Sequence, residues 1–264
     1  AHHHRRMALE AEVEQRTAEL QMAKQRSDTA LEEQRELLNM VSHEVRAPLA
    51  NISAATQLIE LKPSPDIEQQ ALQRIRRASL RLADFLNNCL TQERINAQGW
   101  QPQWQAVRVT ALIQDAIHQM RLQGTTHRFI PTWPPDDTLC LWCDRPLIEV
   151  LLRNLLENAV KYSPDDPCIQ VGANVLASRQ VVLFVSDQGS GIDQQEHAQV
   201  FAKFYRSNRA GRVPGAGLGL YLCGQIAALH DADITLDSHK GRGTRIEIVF
   251  PEAIYGKPDD SCAS

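Results

Sequence analysis

The chain has 264 residues, a hydrophobic content of 43% and a formal net charge of −4. Its length allows about two domains, because single cores commonly span roughly 100–200 residues. The acidic balance argues against a nucleic-acid-binding surface. We also expect no signal peptide and no membrane span, since no apolar run approaches the ~20 residues that a transmembrane helix needs.

Six cysteines are scattered along the chain, which favours a reducing, cytoplasmic compartment. Cys140 and Cys143 form a C-x-x-C motif, but the run around them is typical of a strand, in which positions three apart point to opposite faces. No second Cys or His pair stands at ligand spacing, so we expect no metal or redox site there. Anchoring of the full-length protein in the inner membrane stays open.

The N-terminal region predicts a long helix. The opening Ala-His-His-His is typical of a purification tag, and we assign residues 1–7 to a tag and leader. Residues 8–36 contain neither Gly nor Pro and favour a helix by composition. Their apolar residues alternate by fours and threes, with polar interruptions at Arg16, Ser27 and Gln34, which predicts a marginal coiled-coil signalling helix.

The segment Met40–Leu49 continues that helix and places His43 beside Glu44. His43 lies about 200° around the helix from Val41 and from Val45, which belong to the apolar face, so we expect it to point outward. An outward histidine with a neighbouring carboxylate suggests a nucleophile and its base. Taken alone, however, the segment is explained better as a solvated surface pair.

A turn at Lys62–Asp66 ends this helix, with Ser64 as N-cap and Pro65 at the first position of the next one. Two long helices joined by a short loop predict an antiparallel hairpin, which we assign to residues 37–97. Its apolar stripes exceed what one hairpin can bury. We therefore predict a homodimer in which two hairpins form a four-helix bundle.

Beyond a hinge at Gly99, β-like runs alternate with helical stretches, which predicts a mixed α/β domain over residues 98–254 and a tail or linker at 255–264. The predicted strands are Ala106–Val109, Thr138–Cys143, Ile169–Val175, Val181–Val185, Ile234–Leu236 and Thr244–Phe250, and the predicted helices lie near residues 110–122, 145–162 and 217–229.

The first polar segment of this domain ends the predicted helix at 145–162. Asn154 and Asn158 are four residues apart and share one helix face, and amide oxygens suit Mg²⁺. Lys161 is placed to neutralise phosphate charge and Tyr162 to pack on a base or ribose. A helix with an ordinary polar face explains this segment equally well.

Two glycine-rich segments follow. Asp187 ends an apolar strand, where a carboxylate can accept the exocyclic amine of adenine while nearby glycines let the backbone approach the purine. The second segment precedes a helix, whose N-terminal amides suit phosphate. Between the two we expect Phe201 and Phe204 to anchor a mobile lid, with Lys203 and Arg206 reaching phosphate. The glycine-rich residues are Gly189, Gly191 and Ile192 in the first segment, and Gly215, Gly217, Leu218 and Gly219 in the second.

In order and content these segments resemble the H, N, G1, F and G2 boxes of bacterial sensor histidine kinases, over about residues 35–250. The resemblance implies a dimerisation and histidine-phosphotransfer hairpin, followed by an α/β sandwich of the Bergerat ATP-binding type. It implies that His43 accepts the γ-phosphate of Mg·ATP while Glu44 holds or deprotonates the opposite ring nitrogen. Asn158 would bind Mg²⁺, with Asn154 supporting it or touching phosphate, and Asp187 would bind the adenine amine.

The same resemblance assigns the remaining site residues and the partners. The partners are a second copy of the chain and a response-regulator receiver domain, in a separate protein or in a missing C-terminal domain, and an N-terminal sensor region is absent. Ala47 departs from the family pattern, since many members carry Thr or Asn there to position water, so we predict weak or absent receiver phosphatase activity. The remaining nucleotide-binding residues are Lys161, Tyr162, Gly189, Gly191, Ile192, Lys203, Arg206, Gly215, Gly217, Leu218 and Gly219.

Three alternatives remain. A dimeric regulatory scaffold would bind nucleotide but phosphorylate poorly, and the complete set of ATP boxes argues against it. A conformational ATPase of the chaperone or mismatch-repair type, or a serine kinase of the anti-sigma type, would use the same ATP fold. Both of these lack a histidine hairpin.

Overall fold

The computed structural model describes residues 2–61, 64–135, 138–163, 168–207, 216–251 and 254–255. It divides into two compact units, residues 1–83 and 84–264. Over the described residues, none of the helices is both long enough and apolar enough to cross a membrane.

The first unit is a helical hairpin built from α1 (His2–Leu61) and the greater part of α2 (Pro65–Asn96). The predicted coiled-coil segment and the His43 segment are thus one continuous helix. The helix α2 begins as predicted, because Ser64 Oγ accepts a hydrogen bond of 3.4 Å from the amide of Ile67. The most buried side chains of the hairpin are small, namely Ala55, Ala71 and Ala78 at 1%, 0% and 3% exposure.

Over the described residues, the second unit is an α/β domain with two sheets and three further α-helices. Its strands are β1 (Trp104–Arg108), β2 (Arg128–Thr132), β3 (Leu139–Asp144), β4 (Cys168–Val175), β5 (Val181–Asp187), β6 (Asp233–Ser238), β7 (Thr244–Phe250) and β8 (Ile254–Tyr255), and its α-helices are α3 (Val109–Leu122), α4 (Arg145–Tyr162) and α5 (Gly219–Leu229). The five-stranded sheet has the order β2-β4-β5-β7-β6, with β2 and β4 parallel and the other neighbours antiparallel, and the antiparallel three-stranded sheet has the order β1-β3-β8.

The core of this unit lies between the five-stranded sheet and the helices. The strand β5 is buried along five consecutive residues, as expected for a central strand with both faces covered. The helix α4 supplies much of the core through Leu151, Leu155 and Leu156, each at most 2% exposed. Burial of such side chains contributes roughly 1.5–3 kcal/mol each, which fixes α4 and therefore its polar residues against the sheet.

The predicted fold class is confirmed, with two strands that the sequence pattern did not indicate. The strand β2 contains Pro131, which interrupts a strand pattern and is tolerated because β2 lies at the edge of its sheet. The strand β8 has only two residues. The helix α4 has the predicted bounds because Asp144 caps it, its Oδ1 accepting from the amide of Leu147 at 3.2 Å.

The C-x-x-C cysteines lie where the strand prediction placed them. Cys140 and Cys143 are both buried in β3 with free thiols. Burial raises the pKa of Cys143 to about 12, so its thiol stays protonated and unreactive. Among the described residues, no group of three or more His, Cys, Asp and Glu side chains is arranged to hold a metal ion.

Candidate functional site

His43 projects from α1 with 75% of its side chain exposed. Its Nδ1 lies 3.5 Å from Oε1 of Glu44, whose own side chain is only 19% exposed. A carboxylate beside Nδ1 favours the proton on that nitrogen and leaves the lone pair of Nε2 directed outward. One turn later, Ala47 is also exposed. The imidazole is therefore accessible and oriented, as its position on the apolar helix pattern predicted.

Pro48 lies inside α1 and is buried. Because proline has no amide hydrogen, it cannot donate to the carbonyl of Glu44 one turn earlier. The helix thus lacks one backbone hydrogen bond directly after the His43–Glu44 pair.

In the second unit, Asp187 ends the buried strand β5. Its Oδ1 accepts a hydrogen bond of 2.7 Å from the amide of Gly189. Burial raises the pKa of the Asp187 carboxyl above its ordinary value, while the backbone amides of Gly189 and Thr244 act in the opposite direction. Backbone amides of its own loop and of β7 thus hold the carboxylate in one orientation at the end of β5.

The loop after Asp187 packs so closely that side chains are excluded. A Cβ at Gly189 would lie 2.2 Å from the carbonyl oxygen of Tyr162 at the end of α4. A Cβ at Gly191, whose φ is +65°, would lie 2.0 Å from the carbonyl oxygen of His239. The amide of Ser190 donates to the Tyr162 carbonyl at 3.2 Å. The first glycine-rich segment is therefore fixed between α4 and the β6–β7 connection.

The β6–β7 connection supplies residues that the sequence analysis missed. Ser238 Oγ accepts from the amide of Ile192 at 2.8 Å and lies 2.9 Å from the carbonyl oxygen of Gly243. Gly243 has a φ of +86°, and a Cβ there would lie 2.0 Å from the carbonyl oxygen of Asp187. The signal was present in the sequence as Gly-Arg-Gly-Thr at 241–244, directly before a predicted strand.

The polar residues of α4 occupy different environments. Asn154 is buried at 4% exposure, where its Nδ2 donates to the carbonyl of Val150 at 3.0 Å. Asn158 is half-buried. Lys161 Nζ lies 4.8 Å from the centre of the Tyr162 ring, within cation–π range. Because Asn158 offers a single amide oxygen and no carboxylate cluster is present among the described residues, an Mg²⁺ ion held there would depend on phosphate oxygens for further ligands.

The segment around Lys203 is joined to the start of α5 by backbone contacts. The amide of Phe204 donates to the carbonyl of Gly217 at 3.1 Å. Both residues have left-handed φ angles, +64° for Phe204 and +69° for Gly217, and a Cβ at Gly217 would lie 2.7 Å from the Phe204 carbonyl carbon. Lys203 Nζ lies 5.1 Å from the Phe204 ring centre and 5.9 Å from that of Tyr221.

Other predicted residues of this region have distinct positions. Leu218 is buried at 3% exposure and caps α5, which begins at Gly219. Arg206 is exposed. Gly215 and part of the expected lid lie outside the described residues. Glu196 was not predicted, although its Oε1 accepts hydrogen bonds from Tyr205 Oη at 2.9 Å and from Ser207 Oγ at 2.8 Å.

The structure thus brings the end of α4, the Asp187 loop, the β6–β7 connection and the Phe204–Gly217 contact into one unit. These elements present a carboxylate held by backbone amides, a tightly packed backbone at glycine positions and two lysines. Groups of these kinds are suited to binding a purine and its phosphates. His43 and Glu44 belong to the other unit, where the imidazole is exposed and the Glu44 carboxylate lies beside its Nδ1.

Two family models match the chain and together cover more than half of it. Residues 33–98 match the His Kinase A (phospho-acceptor) domain. Residues 143–254 match the histidine kinase-, DNA gyrase B- and HSP90-like ATPase domain.

Curated relatives are sensor kinases. The sensor protein kinase PmrB of Pseudomonas aeruginosa is 26% identical, over 96% of this chain and 53% of its own length. The sensor histidine kinase WalK of Bacillus subtilis is 29% identical, over 83% of this chain and 37% of its own length. The sensor protein KdpD of Escherichia coli is 31% identical, over 82% and 24% respectively. This chain therefore spans about half or less of the length of these relatives.

Solved structures agree with this assignment. The mycobacterial sensor histidine kinase MprB is 28% identical with a TM-score of 0.51, over 59% of this chain and 99% of that one. The histidine kinase AdeS of Acinetobacter baumannii, 20% identical with a TM-score of 0.56 over 79% and 96% respectively, supports the fold alone. The family predicted from the five boxes is confirmed, and the chain belongs to the bacterial sensor histidine kinases, whose catalytic core it represents.

Proposed function

We propose that this protein catalyses its ATP-dependent autophosphorylation, in which the γ-phosphoryl group of ATP is transferred to His43 of the same or the partner chain of a dimer. The observation that carries the proposal is the exposure of the His43 imidazole together with the approach of Glu44 to its Nδ1. With the Nδ1 proton held by Glu44, the Nε2 lone pair attacks the γ-phosphorus and the bond from phosphorus to the bridging oxygen breaks, which releases ADP. Glu44 stabilises the positive charge that develops on the ring.

The nucleotide-binding part of the proposal rests on the second unit. Asp187 accepts a hydrogen bond from the exocyclic amine of adenine, and the close backbone packing at Gly191 and Gly243 holds the loops around it in place before the nucleotide binds. Lys161 and Lys203 neutralise phosphate charge. Asn158 would hold Mg²⁺, which neutralises the phosphates when bound. Such a transfer depends on positioning and charge neutralisation rather than on further covalent chemistry.

Labelled ATP tests the proposal directly. Incubation with γ-labelled ATP and Mg²⁺ should give an acid-labile, base-stable label on the protein, and His43→Gln should abolish it. His118→Gln is a suitable control, because His118 is an exposed histidine of α3. Label that persists in His43→Gln, or that never appears in the unaltered chain, contradicts the proposal. The second of these results would favour the regulatory scaffold.

The proposal includes a homodimer formed through the hairpin helices. Among the described residues, most of the exposed large apolar side chains lie on α1 and α2, including Leu49 at 50%, Leu61 at 80% and Leu72 at 61%. Exposed apolar surface of this kind marks an association face. Leu72→Glu should weaken the dimer in light scattering, whereas Leu176→Glu, at an exposed leucine of the second unit, should not. A chain that is monomeric at micromolar concentration contradicts this part.

The phosphoryl group is next passed to an aspartate of a response-regulator receiver domain. Ala47 makes the chain a poor phosphatase for that receiver, because a methyl group one turn after His43 cannot hydrogen-bond a hydrolytic water. Both Ala47 and His43 are exposed on α1, which supports a common surface for the receiver.

A further inference from the structure

Asn88 of α2 and Asn154 of α4 form a reciprocal pair of side-chain amides. Asn88 Nδ2 donates to Asn154 Oδ1 at 3.0 Å, and Asn154 Nδ2 donates to Asn88 Oδ1 at 3.2 Å. Both residues lie in the second compact unit, to which the last three turns of α2 belong. The two residues are 66 positions apart in sequence, so the contact is made by the fold and not by a local motif.

This pair consumes most of the hydrogen-bonding capacity of Asn154. A carboxamide has two N–H donors and two lone pairs on its oxygen. One donor of Asn154 is used by Asn88 and the other by the carbonyl of Val150 at 3.0 Å. On the other side, a Cβ at Gly219 would lie 2.9 Å from Asn154 Oδ1, so the start of α5 closes off that oxygen. While it is paired with Asn88, Asn154 has no N–H left to donate to a phosphate.

The charged side chains of α4 near this pair are incompletely hydrogen-bonded. Arg153 Nε lies 3.9 Å from Glu157 Oε1 on α4, and within the described part of the chain neither atom has a hydrogen-bond partner. Burial and the nearby carboxyl of Asp84 on α2 raise the pKa of Glu157 to about 7. The carboxyl groups of Asp84 on α2 and Glu157 on α4 repel each other when both are ionised. This repulsion weakens the association of the last turns of α2 with α4.

Burial also ties this segment to the second unit. Gln92 of α2 is buried at 4% exposure, and Ile95 packs against the core of the second unit. The segment Asp84–Asn96 thus belongs to the packed part of this unit, and the Asn88–Asn154 pair joins it to α4.

We propose that Asn88 competes with the nucleotide for the amide of Asn154. In the docked arrangement Asn88 occupies one N–H donor of Asn154, and release of Asp84–Asn96 from α4 frees that donor for a phosphate oxygen of ATP. The proposal rests on the proposed function in one respect, namely that Asn154 faces the phosphates of bound nucleotide. It assigns an inhibitory role to a residue outside the five boxes.

Equilibrium titration with a non-hydrolysable ATP analogue and Mg²⁺ tests this competition. Asn88→Ala should lower the dissociation constant by about two- to tenfold, the value of one neutral hydrogen bond. Asn87→Ala is a matched control, because Asn87 is the same residue type, one position earlier on α2, with an exposed side chain. It should leave the dissociation constant unchanged. Asn88→Leu keeps the branched shape and the number of heavy atoms without polar atoms and should reproduce the Asn88→Ala result.

The double variant Asn88→Ala/Asn154→Ala should lose the gain, because the freed donor no longer exists. An unchanged or higher dissociation constant in both Asn88 variants overturns the proposal and leaves Asn88 as a structural contact. The titration does not require phosphoryl transfer, so it is independent of the His43 experiment. A failure of His43 to accept label together with tighter binding by Asn88→Ala would refute the proposed function and leave the competition intact.

Discussion

The phospho-acceptor region and the nucleotide region are built in opposite ways. His43 stands on one face of a single helix with most of its side chain exposed, and one neighbouring carboxylate orients it. Asp187 lies at the end of a buried strand, and backbone amides of its own loop and of the start of β7 hold it. Around it, the positions that would clash with a side chain are glycines.

This difference fits the proposed function. A histidine that accepts phosphate and passes it to another protein would have to be reached from outside, so the helix supplies orientation but no enclosure. A nucleotide site gains affinity by being formed before the ligand arrives, since ordering loops on binding costs free energy. Substitutions near His43 should therefore change the chemistry and leave the fold, whereas substitutions at the glycines should change both.

The largest effect is expected from Gly243→Ala. The added Cβ would lie 2.0 Å from the carbonyl oxygen of Asp187, so the loop must move and nucleotide binding should be lost. Gly241→Ala is a matched control, because Gly241 has a similar φ of +77° but open space around its Cβ position. It should cost only the left-handed strain of about 1–2 kcal/mol. Calorimetric titration with ATP and thermal unfolding distinguish the two variants, and equal losses in both would contradict the crowding argument.

A smaller loss is expected from Asp187→Asn. The substitution retains the size of the side chain but removes the charged acceptor for the adenine amine. We expect ATP affinity to fall about 10- to 100-fold, the range for a hydrogen bond to a charged group. Discrimination between ATP and GTP should also decrease, which titration with both nucleotides would measure. Undiminished preference for ATP would place adenine recognition elsewhere.

The buried histidine His230 predicts that acid weakens the folded state. His230 is buried at 5% exposure, and its Nε2 accepts from the amide of Asp144 at 3.1 Å. Burial lowers the pKa of His230 below its ordinary value of 6.5, so the folded state favours the neutral ring. Its contribution to stability is therefore full above about pH 6.5 and is lost as the pH falls toward the folded pKa. Urea unfolding from pH 7.5 to 5 should show this loss.

His230→Gln keeps an acceptor for the Asp144 amide and removes the titration, so the decline in unfolding free energy over that pH range should be smaller. Identical pH profiles for His230→Gln and the unaltered chain would show that another group dominates acid sensitivity.

The smallest effect is expected from Ala47→Thr. A hydroxyl one turn after His43 can position water against a phosphorylated receiver, so receiver dephosphorylation should rise several-fold while autophosphorylation changes little. Ala50→Thr, at another exposed alanine of α1, is the control. The loss of labelled phosphate from a purified receiver measures the rate, and no gain in Ala47→Thr would remove Ala47 as the explanation.

The sequence was most informative where the signal is local. The bounds of α4 follow from Asp144 as N-cap, and the exposure of His43 follows from helical periodicity. The contacts that the sequence did not predict join residues far apart in the chain. The approach of Gly243 to Asp187 depends on the register of β5 with β7, and the Asn88–Asn154 pair depends on where α2 ends against α4. The edge strand β2 was not predicted because it contains Pro131, and proline normally interrupts a strand.

The position of phosphate in the unaltered chain tests the central claim most directly. After incubation with Mg·ATP at neutral pH, proteolysis and mass spectrometry under non-acidic conditions should find the phosphoryl group on the peptide that contains His43 and on its imidazole. A phosphoryl group on any other residue, or none after prolonged incubation with a chain shown to bind ATP, would contradict the assignment of His43 as the acceptor.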